Sequence, residues 1–359
     1  MATPVIDPDK LKFFAYHVFT KLEGAITSGM IYLGHELGLY RHLCEAGAEI
    51  SAAELATAAR LDERWVLEWA RNQAAAKIID SVDGSTFSIS AEAAMVLADP
   101  EGPAYGMGMF MRLPSTMASL ERLPESFRTG LGYDYDAHGE TGAAGIEVNF
   151  APWFRHQLVS VGLPALDGVV EKLIAGAKVA DVGCGAGVAV LTMAAAFPKS
   201  SFSGFDISHH ALTRAKAKQT EAGISNAEFF DPREHGLPTD NSLDLVTTFD
   251  CLHDMTHPQE IMRAIRSALK PNGVWFVADI KARDTFSENV QKNPMASMMY
   301  GISVMSCMAS ALSEHGGAGL GTLGLTEALL TEMAAQAGFS TVKKLGIDHA
   351  VNAFYQITV

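Results

Sequence analysis

Val179-Ala-Asp-Val-Gly-Cys-Gly-Ala-Gly187 is an apolar, strand-like run that ends in glycines at alternate positions and opens directly into Val188-Ala-Val-Leu-Thr-Met-Ala-Ala-Ala-Phe197. Strand, glycine turn and apolar helix in that order make the first half of a nucleotide-binding βαβ unit. A backbone that turns sharply against a flat ligand has no room for Cβ atoms at Gly183, Gly185 and Gly187. Asp206 follows a second strand, Ser201-Phe-Ser-Gly-Phe205, where such units place the carboxylate that grips two ribose hydroxyls. Asp181 then discriminates among nucleosides. Two residues before the first glycine, its carboxylate repels a pyrophosphate and attracts a ligand that carries an ammonium group.

S-adenosylmethionine has adenosine, an amino-acid head and no phosphate. The Asp-x-Gly-x-Gly-x-Gly spacing, with the second acid at Asp206, resembles a class I S-adenosylmethionine-dependent methyltransferase over roughly residues 150–359. The resemblance implies an α/β, Rossmann-like seven-stranded methyltransferase domain with S-adenosyl-L-methionine as cofactor. It also implies that Asp181 and the glycines hold the methionine end, Asp206 with Ile207 the ribose, and Asp231 with Pro232 the adenine. Phe249 and Asp250 then complete the cofactor shell. The bland alternative is a structural βαβ turn with no ligand.

With 359 residues and 48% hydrophobic content the chain can bury substantial cores in two domains of ordinary size. A net charge of -14 argues against a phosphate-binding surface and for a small-molecule substrate. Cys44, Cys184, Cys251 and Cys307 lie far apart with no C-x-x-C spacing, and read as reduced core thiols; no metal site is expected. The opening Met-Ala-Thr-Pro-Val-Ile-Asp-Pro-Asp lacks the basic and apolar regions of a secretory signal, so the expected location is cytoplasmic. Asn293–Ser313 is uncharged and rich in methionine, but Pro294, Gly301 and its serines make it a poor membrane span.

Residues from about 9 to 45 show helical apolar periodicity, as one helix or two. Ser51-Ala-Ala-Glu54 is an N-cap signature, and another helix runs from Glu63 to about Ala76. Ile78-Ile-Asp80 and Thr86-Phe-Ser88 flank Asp83-Gly84 as a hairpin. Helix, turn, helix and hairpin make a winged-helix pattern over residues 1–100, which invites a DNA-binding reading. A recognition helix beginning Asp62-Glu-Arg would repel phosphates, so no nucleic-acid partner is expected. His35-Glu-Leu-Gly-Leu-Tyr-Arg-His-Leu43 and Ala53-Glu-Leu-Ala56, with the wing, resemble the N-terminal dimerisation domain of small-molecule O-methyltransferases. That resemblance implies a homodimer; packing of the first helix on its own subunit is the alternative.

Residues 101–150 read as an irregular, glycine-rich connector that contributes to a pocket, with Tyr133, Tyr135 and His138 as substrate-facing candidates. Residues 151–359 form the catalytic domain. Strands are expected at Ala227–Phe230, Leu243–Phe249 and Val274–Ala278, with Thr341–Leu345 and Asn352–Val359 as an antiparallel ending.

Asp250-Cys-Leu-His-Asp254 follows the fourth strand, at the edge where open α/β sheets bind ligands. Leu252-His-Asp254 resembles the Leu-His-Asp-Trp motif of those O-methyltransferases, whose histidine is the general base, with Met255 in place of the tryptophan. Histidine suits proton removal near neutrality, which makes His253 the candidate base. A helix-capping or cofactor-binding histidine is the alternative. An insertion at 285–325 carries methionines that include Met299, then Glu314-His315 and a run of glycines. It reads as an apolar substrate wall and lid, with Met299, Glu314 and His315 facing the acceptor.

The expected activity is methyl transfer to a small-molecule acceptor, on oxygen with His253 as base. S-methylation of a thiol or thioether, and a cofactor-sensing winged-helix transcriptional regulator, are the alternatives.

Overall fold

The computed structural model describes residues 6–359, so the first five positions of the N-terminal stretch lie outside the described residues. The chain divides into two compact units after Pro114.

The first unit opens with a 29-residue helix, Pro8–Glu36, whose N-terminus is capped by the Asp7 side chain accepting from the backbone N–H groups of Asp9 and Lys10. Its second half packs inward. A Cβ at Gly34 would stand 2.6 Å from the Trp69 ring, so only glycine admits that contact. Trp69 donates from Nε1 to the Met30 carbonyl at 2.8 Å, tying this helix to Glu63–Ala75. The first half buries little: Leu11, Phe14, Val18, Phe19, Leu22 and Ile26 are all exposed. Helices Leu39–Ala46 and Ala52–Ala59 follow, and Ser51 and Glu54 form the expected capping box.

The wing differs from the expected hairpin. Strand β1 (Ile50–Ser51) pairs antiparallel with β2 (Thr86–Phe87), and the arm at Ile78–Asp80 contributes one bridge, Asp80 to Ser88. The reason is local. The Asp83 side chain accepts from the N–H groups of Ser85 and Thr86, and the Ser81 hydroxyl donates to the Thr86 carbonyl, so side chains absorb bonds that a ladder would use.

The second unit is built on a seven-stranded sheet in the order β5-β4-β3-β6-β7-β9-β8. Its strands are β3 (Lys178–Val182), β4 (Ser201–Phe205), β5 (Ala227–Phe230), β6 (Leu243–Phe249), β7 (Leu269–Ile280), β8 (Thr341–Lys344) and β9 (Asn352–Thr358). The first five are parallel, and β9 inserts antiparallel between β7 and β8. Apolar residues fill both faces: Val179, Phe202, Leu245 and Phe276 join one core, Ala180, Val246, Trp275 and Val277 the other. Such runs suit parallel strands covered on both sides. β7 is longer than the expected Val274–Ala278, and its extension carries Asp279 into the sheet.

The connector is helical where the sequence suggested irregular chain, with helices at Gly108–Ala118, Leu123–Thr129 and Gly139–Trp153. Pro114 and Pro152 lie inside helices, and the glycines interrupt the apolar period, so the usual breaker signals mislead. The 285–325 insertion holds helices Phe286–Lys292 and Ala296–Ile302, a π-helical turn Ser303–Cys307 and a short helix Met308–Ala311. Among the described residues no helix is long and apolar enough to cross a membrane.

Candidate active site

The carboxyl ends of β3, β4, β6 and β7 bring the predicted residues to one edge of the sheet, the edge at which parallel sheets bind ligands. The three glycines there do different work. All have positive φ, +75°, +53° and +74° for Gly183, Gly185 and Gly187. A Cβ at Gly183 would meet the Cys251 sulfur at 2.7 Å and one at Gly187 the Phe229 ring at 2.6 Å, whereas one at Gly185 would meet nothing within 4 Å. Gly183 and Gly187 therefore let the loop pack, and Gly185 borders open space.

Asp181 is buried beneath this loop, and the Thr247 hydroxyl donates to its Oδ1 at 2.6 Å. Burial pushes its carboxyl up to about 7, with Asp206 adding to the rise and Thr247 opposing it. A buried acid with one neutral donor is a poor anion by itself and a good one beside a ligand cation. Asp206 accepts from the Gly185 N–H at 2.7 Å and from the Ser208 N–H at 2.8 Å, so it also braces the loop. Burial raises its carboxyl as well. This cradle fits an adenosyl sulfonium: open space at Gly185, a buried carboxylate lacking a cation, and a second carboxylate at the neighbouring strand end.

Asp231 is engaged by Arg233, whose Nε and Nη2 donate to both carboxylate oxygens, while the same guanidinium reaches the Ile207 carbonyl at 2.8 Å. Ile207 is exposed and Pro232 half-buried beside them. A residue the sequence did not single out joins this corner: Asp136 accepts from the Ser208 hydroxyl at 2.6 Å.

Beyond β6 the chain turns through Asp250, a non-glycine residue at φ +59°. Its N–H donates to the Ala278 carbonyl at 2.7 Å and its carboxylate accepts from Asn352, contacts that hold a strained conformation of the kind found at functional sites. The turn delivers His253 onto β7, where its Nδ1 lies 2.6 Å from Asp279 Oδ1. Both side chains are about 3% exposed. Burial alone would depress the imidazole, but the Asp279 carboxylate and the Cys307 sulfur outweigh it and raise His253 well above its usual value. Burial also brings Asp250 and Asp254 up to about 7, with Asp279 adding to both and His253 opposing. Asp279 has its other oxygen buried without a hydrogen-bond partner. Only its position at a strand end, where β7 meets the motif after β6, could have signalled it.

Phe249 packs with Trp153, Phe154 and Phe276 in an aromatic cluster that borders Asp250, His349 and Asn352. Met299 is buried against Ile280 and Leu323, at the end of the Asp279 strand. Tyr133 donates its hydroxyl to the Met305 carbonyl, lies under the Arg122 guanidinium and packs edge-on against His138, as Tyr135 also does. Tyr133 thus meets the insertion directly at Met305, and His138 meets it at Ser306. Glu314 and His315 are exposed, and Glu314 faces His257 at 3.6 Å, outside the His253 group. They lie on the surface because Gly316, Gly319 and Gly321 turn the following segment back through left-handed conformations.

Comparison with known proteins matches residues 174–338 to a methyltransferase domain family and residues 25–99 to the Rv2258c-like winged HTH domain. The ubiquinone biosynthesis O-methyltransferase of Cupriavidus pinatubonensis is 32% identical over 131 residues, 35% of this chain and 49% of that protein. The chain thus spans about half the length of that curated relative. Among solved structures, an O-methyltransferase candidate from Nostoc punctiforme superposes with a TM-score of 0.72 at 17% identity, covering 100% of both chains. Human N-acetylserotonin methyltransferase, in complex with S-adenosylmethionine, superposes with a TM-score of 0.67 at 16% identity over 99% of each chain. At such identities the likeness speaks for the fold.

Proposed function

We propose that this chain, a winged-helix domain followed by a class I methyltransferase domain, transfers a methyl group from S-adenosyl-L-methionine to a hydroxyl of a small-molecule acceptor. The observation that carries the reading is the buried His253–Asp279 pair at the rim of the glycine cradle, 2.6 Å apart. When bound, the cofactor supplies an electrophilic methyl on a positively charged sulfur. Asp181 balances the ammonium of the amino-acid head, Asp206 accepts from the ribose hydroxyls, and Asp231 meets the adenine amino group once Arg233 yields an oxygen. Asp279 holds the Nδ1 proton of His253 and, in the neutral imidazole, which its raised proton affinity makes the form favoured at higher pH, Nε2 receives the proton of the acceptor hydroxyl as the oxygen attacks. The methionine-rich insertion excludes water from that exchange. Displacement at carbon asks the protein for alignment above all, which a rigid strand-end constellation provides.

The exposed apolar side of Pro8–Glu36 supports a homodimer joined through that helix. Four free cysteines suit a reducing compartment such as the cytoplasm.

Calorimetric titration with S-adenosylhomocysteine, followed by labelled cofactor and a panel of phenols, carboxylates, amines and thiols, tests this reading. Micromolar-range binding and a labelled ether product support it. Binding without product from any acceptor class rejects the enzymatic claim, and a labelled thioether from a thiol moves the acceptor atom to sulfur.

A further inference from the structure

His253, Asp254 and Cys307 each present a potential ligand atom, and the three atoms lie within 4.8 Å of one another. They come from two segments that the lid region stitches together. Gly321 donates its N–H to the His253 carbonyl at 3.1 Å, and Ala318 donates to the Thr256 carbonyl at 2.9 Å. Cys307 ends the π-helical turn, a local widening of the helix that recurs at functional sites.

From this constellation we propose that His253, Asp254 and Cys307 form a binding site for a thiophilic divalent cation of the zinc type, with its fourth position open to solvent or acceptor.

Each ligand has the support such a site needs. His253 has its Nδ1 committed to Asp279, the carboxylate–histidine arrangement that fixes a metal-binding imidazole, and its other nitrogen is turned to Cys307, so an ion would replace that hydrogen bond. The Cys307 sulfur accepts from the Thr322 hydroxyl at 3.1 Å, an outer contact that orients the ligand atom. Among the described residues no hydrogen bond or ion pair engages the half-buried Asp254 carboxylate, which leaves an acid in want of a cation. Tetrahedral zinc with nitrogen, oxygen and sulfur ligands sets neighbouring ligand atoms about 3.5 Å apart, so the group closes on an ion by side-chain rotation of about an ångström. The mixed soft and intermediate donor set selects zinc over magnesium or calcium. A second group, Asp250, His253 and Asp279, shares the histidine. An ion there would take Asp279 from Nδ1 and offers no sulfur, so the first group is the better site.

Bound metal would use the imidazole lone pair that takes the acceptor proton, so occupancy and the base role of His253 exclude one another. That consequence rests on the proposed methyl transfer; the site itself does not.

The test is a titration of the full chain with cobalt(II) after removal of bound metal by a chelator. One cobalt per chain is expected, with a thiolate-to-cobalt charge-transfer band in the near ultraviolet that added zinc abolishes. Cys307→Ser should remove the band, Asp254→Asn should weaken binding about tenfold or more while keeping it, and Cys44→Ser should change neither. Far-UV circular dichroism confirms that each variant is folded. No band at saturating cobalt, or a band that survives Cys307→Ser, overturns the proposal. S-adenosylhomocysteine affinity, measured on the metal-free protein, reports on the methyl-transfer reading independently.

Discussion

The Nδ1 of His253 lies 2.6 Å from Oδ1 of Asp279, a bond between a short turn after β6 and the end of the neighbouring strand β7. The carboxylate fixes the tautomer and orientation of the ring, as an acid behind a catalytic histidine must. For a hydroxyl acceptor, His253→Ala should lower kcat by about 10²–10⁴-fold, as loss of general-base catalysis does. The affinity for S-adenosylhomocysteine should hardly change. Asp279→Asn should act in the same direction and shift the kcat–pH profile. Steady-state kinetics with parallel calorimetry check this; an unchanged kcat in His253→Ala would mean that the acceptor has no proton to lose.

Asp181 gives a pH dependence with a definite sign. Its folded carboxyl lies at about 7, raised chiefly by burial. Its contribution to the stability of the ligand-free protein is therefore fully present below the ordinary carboxylate range and is lost as pH rises through about 7. A ligand ammonium favours the ionised form, so cofactor affinity should rise over the same interval with release of a proton. Calorimetry in buffers of differing ionisation enthalpy should detect that proton near pH 6 and none well above 7, and Asp181→Asn should flatten the profile; a proton taken up on binding would contradict the assignment.

The glycine loop separates packing from binding. Gly187→Ala forces a Cβ to 2.6 Å from Phe229 at φ +74° and should cost about 2–4 kcal/mol of stability. Gly185→Ala meets open space and bears only the cost of φ +53°, about 1 kcal/mol. Its larger effect should fall on cofactor affinity, because the new methyl enters the ligand's space. Denaturant melts and titrations on both variants distinguish the two outcomes.

Leu22→Asp and Phe14→Asp on the first helix should convert a dimer into monomers without loss of helical content, since both side chains are more than half exposed in the single chain. Light scattering during size-exclusion chromatography measures this. A monomeric parent protein would remove the proposed dimer.

The helix Glu63–Ala75 presents Asp62, Glu63 and Glu68 among its exposed groups, and Arg64 is paired to Glu68 at 2.5 Å. Phosphate contacts need unpaired cations. The protein should retain no specific fragment from a genomic library in a filter assay at physiological salt; specific retention would revive the regulator reading.

Local patterns revealed the glycine loop, the positions of β4, β5 and β6, and the edge that gathers Asp181, Asp206 and His253, because strand periodicity and turn residues are written in adjacent positions. What escaped depends on distant pairing. Asp279 follows the expected strand Val274–Ala278, and its tie to His253 depends on β7 running on to Ile280 against β9. No spacing rule links Cys307 to His253, so the sequence alone marks it only as a core thiol. The connector hid its helices because Pro114, Pro152 and clustered glycines imitate loop chemistry. Glu314 and His315 are polar groups after an apolar stretch, and both are exposed.

The left-handed turn at Asp250 is clamped by Asn352, a residue 102 positions later in the chain. During translation the cradle and the first four strands of the sheet leave the ribosome well before their clamp does. The turn that leads to the loop bearing His253 therefore stays unlatched until the last strand of the sheet is in place.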